Sequence, residues 1–120
     1  MKIDIQDLFK HSYVLSCDND RLRLFYYNFS RYSLPKPEWF HAIVDKNLGG
    51  RKCNSLSMAA MIQKAKDNDW PFVLIFEDDA YPCRDVYKRL SSLEYPDNAD
   101  IYVLGYHNTC LDKKSLSGQR

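Results

Sequence analysis

Phe72-Val73-Leu74-Ile75-Phe76-Glu77-Asp78-Asp79-Ala80 is an unbroken run of five apolar residues that meets three consecutive carboxylates. No polar residue alternates within the run, which is the pattern of a strand buried on both faces, as in a parallel sheet. Such a strand needs helical cover on each side. Open α/β sheets place ligands beyond the carboxyl ends of their strands, and that is where the acids emerge. Two carboxylates about 4 Å apart repel by roughly 1 kcal/mol in water and about 4 kcal/mol at the effective dielectric of a protein surface. Glu77, Asp78 and Asp79 therefore need a counter-charge: a divalent cation, a Lys or Arg, or a shared proton. An all-oxygen donor set favours Mg2+ or Mn2+ over zinc. The plain alternative is that Glu77 and Asp78 face water while Asp79 caps the next helix.

Upstream of this run, Tyr13-Val14-Leu15-Ser16-Cys17 reads as a first strand, followed at once by the helix-start cluster Asp18-Asn19-Asp20. Leu22, Phe25, Tyr26, Phe29 and Tyr32 recur with helical spacing and form one apolar stripe, ending near Ser33 ahead of Pro35 and Pro37. Trp39-Phe40-His41-Ala42-Ile43-Val44 is a second strand, closed by Asp45. Lys46-Asn47-Leu48-Gly49-Gly50-Arg51-Lys52 reads as a loop without P-loop spacing. A second helix is expected from Asn54 or Ser55 to about Asn68, with Met58, Met61, Ile62 and Ala65 on its core face. Downstream, Cys83 to Leu93 carries Val86, Leu90 and Leu93 with helical spacing, Tyr95 to Asn98 makes a turn, and Ala99 to Gly105 is a fourth strand. Strand and helix thus alternate, which implies a parallel sheet with right-handed crossovers. Residues 1–12 read as a weakly patterned lead-in, 13–106 as the α/β domain and 107–120 as a polar, frayed tail.

A chain of 120 residues is long enough for one domain with a core of its own. Seventeen Lys and Arg against 16 Asp and Glu leave no need for a strongly basic face, which argues against a general nucleic-acid binder. Cys17, Cys53, Cys83 and Cys110 form no Cys-x-x-Cys pair, so neither zinc nor a disulfide framework is suggested, and reduced thiols fit a cytoplasmic protein. The N-terminus has no apolar leader, and no window approaches a membrane span. A receiver-type signalling domain would carry its acidic pair after the first strand, whereas here the acids follow a much later one. A metal-dependent nuclease would want a nearby Lys on the following strand, and Lys88 falls on a helix instead.

The order of pieces resembles glycosyltransferase family 25, which contains bacterial lipooligosaccharide galactosyltransferases and animal collagen galactosyltransferases. The matching segments are Val14 to Asp18 with Arg21 or Arg23, then Ala42-Ile43-Val44-Asp45, Ser57, Leu74 to Ala80, and Asp100-Ile101-Tyr102-Val103-Leu104-Gly105. The chain departs from the family at Met58, where a histidine is usual, and at Lys46, where a glycine is usual. The resemblance spans roughly residues 13–106 and implies a GT-A-like (Rossmann-like) fold, mostly parallel with helices on both faces, limited to the nucleotide-binding half. It further implies transfer of a hexose, galactose or glucose, from a nucleotide sugar such as a UDP-sugar to a glycan or glycolipid acceptor of the cell envelope. A glycolipid acceptor leaves peripheral membrane association open. By the same resemblance Asp79 and Glu77 hold Mn2+ or Mg2+, while Ser16, Asp18, Asp45, Ser57 and Asp78 flank the donor. Ser57 reads equally as a helix cap, and Arg21 or Arg23 equally as solvated helix residues. No general base is identified, although His107 follows the fourth strand. A non-catalytic remnant that binds a nucleotide sugar or a glycan is the alternative.

Overall fold

The computed structural model describes residues 1–105. The elements follow in the order α1 (Ile5–Leu8), β1 (Ser12–Ser16), α2 (Asn19–Ser30), β2 (Glu38–His41), α3 (Gly50–Asp67), β3 (Leu74–Glu77) and α4 (Val86–Ser92). The three strands form an open, all-parallel sheet in the order β2-β1-β3.

Side chains alternate between the faces of a strand, and that alternation divides the core in two. Val14, Leu74 and Phe76 point to one face, where they pack with Ile5 and Leu8 of α1, Leu22, Phe25 and Phe29 of α2, and Leu90 of α4. Tyr13, Leu15, Phe40 and Ile75 point to the other, against Met61 and Met58 of α3. Helices therefore cover both faces. Two crossovers of the same hand that run in opposite directions across a sheet must cover opposite faces. The first, from β1 to β2, uses α2, and the second, from β2 back over to β3, uses α3. Chain direction thus reverses at β1, and the carboxyl ends of β1 and β3 flank a topological switch point.

Several expectations are corrected. The Phe72–Phe76 run is not the sheet's doubly buried strand: β3 lies at one side, with only Leu74 fully buried, whereas β1 is buried along its whole length. Ser12 and Ser16 are tolerated there because each hydroxyl is hydrogen-bonded, Ser12 Oγ donating to the Phe9 carbonyl at 2.8 Å. The lead-in contains α1, capped by Asp4 and buried through Ile5, Leu8 and Phe9. The second helix starts at Gly50, a full turn before Asn54, because Gly49 at φ 79° supplies the left-handed turn into it. Within that helix Met61 and Ala65 are buried, but Ile62 is exposed. The second strand stops at His41.

The expected fourth strand is absent: residues 101–105 belong to no strand, and Ile101 is 77% exposed. The helix before it, α4, packs on the same face as α2 through Leu90, and the chain that follows adds no fourth strand up to residue 105. The expected tail, with His107 and Cys110, lies outside the described residues.

Candidate functional site at the carboxyl ends of β1 and β3

A cleft of about 240 Å3 opens at the switch point. From β1 and its turn into α2 it is lined by Ser16, Cys17 and Arg21, from α3 by Asn54, and from the end of β3 by Glu77, Asp78 and Asp79. Three carboxylates face one guanidinium.

Asp78 lies deepest, its side chain only 12% exposed. Its Oδ1 accepts from Arg21 Nη2 at 2.9 Å, and its Oδ2 lies 2.9 Å from Ser16 Oγ. The Ser16 hydroxyl has one proton and two acceptors in reach, the other being the Asp18 carbonyl at 3.1 Å. The carboxylate is the stronger acceptor and takes it. In return Ser16 Oγ accepts from the Asp18 backbone N–H at 3.2 Å, which fixes the turn out of β1. Asp78 is thus neutralised and held.

Glu77 and Asp79 are both exposed at the mouth. Glu77 Oε1 accepts from Asn54 Nδ2 at 3.3 Å, a bond that reaches across from α3. These two side chains are the oxygen donors that the cleft leaves available. Among the described residues no three His, Cys, Asp or Glu side chains converge as a cation cage. Mg2+ is usually held by one or two carboxylates together with waters and substrate phosphates, so a pair such as Glu77 and Asp79 suits that kind of ion. Asp78, with both oxygens engaged, does not join them.

The remaining sequence-expected residues lie elsewhere. Asp18 caps α2, its Oδ1 accepting from the N–H groups of Asp20 at 2.8 Å and Arg21 at 3.2 Å. Asp45 closes a turn, its Oδ1 accepting from Asn47 N at 2.9 Å, and it does not line the cleft. Ser57 is fully buried two turns into α3 and faces no cleft. Its hydroxyl donates to the Cys53 carbonyl at 2.9 Å and accepts from Ile43 N at 2.9 Å, tying α3 to the chain after β2. Neither the helix-start role nor the anion-facing role expected of Ser57 survives that position.

Two neighbours escaped the sequence reading. Asn54 looked only like a cap; nothing in its surroundings along the chain marks it as the partner of Glu77. Trp39 looked like an ordinary strand aromatic, yet its Nε1 donates to the Ser16 carbonyl at 2.9 Å. A larger depression of about 380 Å3, lined by Leu48, Arg51, Lys52, Ser55 and Leu56, lies beside the first turns of α3 and brings no acid with it.

No helix among the described residues is long and apolar enough to cross a membrane. No protein-family model, curated protein or solved structure matches the chain.

Proposed function

We propose that the chain is a GT-A-like relative of glycosyltransferase family 25 that receives the diphosphate of a nucleotide sugar, together with Mg2+ or Mn2+, in the cleft between β1 and β3. The observation that carries this reading is the convergence of Ser16, Arg21, Glu77, Asp78 and Asp79 at the switch point of a parallel sheet, the place where such sheets bind ligands.

Charge decides how such a ligand would enter. With three carboxylates against one guanidinium, a bare diphosphate would be repelled, whereas a diphosphate that arrives with a divalent cation brings the missing positive charge. Glu77 and Asp79 would hold the cation from the protein side. Arg21 spends one contact on Asp78 and, half-exposed, keeps further N–H donors for a phosphate oxygen. Ser16 and Asp78 would hold that guanidinium in place. A cation bound there would act as Lewis acid towards the departing nucleotide diphosphate in hexose transfer.

The binding-only reading also has observations in its favour. A cleft of about 240 Å3 is below the roughly 300–1,000 Å3 of pockets that enclose drug-sized ligands. Among the described residues no His lines it to take the acceptor's proton. On this reading the chain keeps the donor site of the fold and holds a nucleotide sugar or glycan without transfer.

Calorimetric titration of UDP-galactose and UDP-glucose, with Mn2+ and again with EDTA, tests the site. Binding is expected only with metal, and Asp79→Ala should weaken it at least tenfold. Metal-independent binding, or none from a folded protein, would remove this reading. Turnover on cell-envelope glycans, assayed next, separates the transferase from the remnant.

A further inference from the structure

Trp39 stands on the outer strand β2, 43% exposed, and yet it is not loose. Its indole N–H is tied at 2.9 Å to the Ser16 carbonyl, which also accepts from Ala42 N at 3.0 Å. In the parallel register Trp39 pairs with Val14, so it shares the sheet face of Val14 and of Ser16. That is the face on which the Ser16 hydroxyl meets Asp78. The row across the sheet at Ser16 is completed by His41 on β2 and by Asp78 after β3, while Trp39 stands one side-chain step back along β2, beside Val14, with its indole N–H reaching forward to the Ser16 carbonyl. His41, two residues on and on the same face, sets its ring 5.3 Å from the indole at 34°.

A half-exposed indole usually signals either an edge residue left over from packing or a surface kept for a flat ligand. Here the donor bond holds the ring against the carbonyl of Ser16, a residue that lines the acidic cleft, so its orientation is fixed before any ligand arrives. The cleft itself is too small for a whole nucleotide, and the part that does not fit has to extend along the sheet end. Towards β2 it meets an uncharged aromatic surface.

We propose that Trp39 is the stacking platform for the base of a nucleoside diphosphate whose diphosphate enters the cleft between β1 and β3. This rests on the nucleotide reading of that cleft. Every base has a π-face, so the platform recognises a nucleotide without choosing among bases.

The chain has two tryptophans, and Trp70 stacks on His11 at the opposite end of β1. A Trp70→Phe protein therefore reports on Trp39 alone. UDP and inorganic pyrophosphate, each with Mg2+, are titrated by calorimetry and by fluorescence. UDP should quench Trp39 and bind tighter than pyrophosphate by about five- to 150-fold, the range of base stacking on aromatic side chains. Trp39→Ala should bring UDP down to the pyrophosphate level and leave pyrophosphate unchanged, while Trp39→Phe, which keeps a ring without the N–H, retains most of the difference. Equal affinities in the parent protein would overturn the platform and leave the cleft standing. So would a Trp39→Ala protein that loses both ligands alike, since that reports damage transmitted through Ser16. If neither ligand binds the folded parent, cleft and platform fall together.

Discussion

Both oxygens of Asp78 are engaged, one by Arg21 and one by Ser16, whereas Glu77 and Asp79 stand exposed at the mouth of the cleft. Three adjacent acids of identical charge therefore do different things. Arg21 sits in the first turn of α2, where a positive charge opposes the helix dipole, and Asp78 offsets that cost. Ser16→Ala removes a donor from a carboxylate that is almost out of water, and the acceptor of the Asp18 N–H as well. It should lower stability by about 1–3 kcal/mol, read from urea unfolding at unchanged m-value. Asp79→Ala, at an exposed position, should stay within about 0.5 kcal/mol of the parent. Equal effects from the two would show that the Ser16–Asp78 bond carries no structural weight.

At the level of elements, the helices were legible where an apolar stripe met a cap. Asp18 and the Leu22, Phe25, Phe29 spacing mark α2 almost to its ends. The acidic end of β3 was equally plain, since five apolar residues cannot be left in water. The strand at Tyr13 to Ser16 was legible too, but its central place in the sheet was not: Ser12 and Ser16 look like boundary residues, and only their tertiary hydrogen bonds explain their burial. The spacing of Ile5, Leu8 and Phe9 was a readable signal for α1, but one turn of helix gives periodicity little to work on. Ser57 was misplaced because the helix start was drawn too late, and its partner, Ile43 N, belongs to a segment that only the fold brings near. Ser57→Ala leaves that part-buried N–H without its acceptor and should cost on the order of 1 kcal/mol. Because the side chain does not line the cleft, nucleotide affinity measured well below the transition should be unchanged; a drop would return Ser57 to the site.

For the molecule as a whole, burial first, and then the negative charge of Glu38, raise the Tyr26 phenol above its ordinary value of 10.0. Its hydroxyl donates to the Pro37 carbonyl at 2.8 Å, which joins α2 to the approach of β2. Burial likewise raises Tyr95, with Tyr102 adding to it. A phenol whose folded value is raised contributes stability that is complete below its unfolded value and is lost as pH rises through the folded one. Unfolding free energy should therefore be flat from neutral pH towards 10 on account of these two groups and fall above it. Tyr26→Phe should shrink the alkaline decline, and an unaltered decline would detach it from Tyr26. One strand belongs to both cores: Val14 to that of α1, α2 and α4, and Tyr13 and Leu15 to that of α3. The two layers thus share a single five-residue hinge of buried backbone, and native-state hydrogen exchange will see it as one clock. The β2 and β3 amides open first from their flanks, and those of β1 exchange only when both layers come away together.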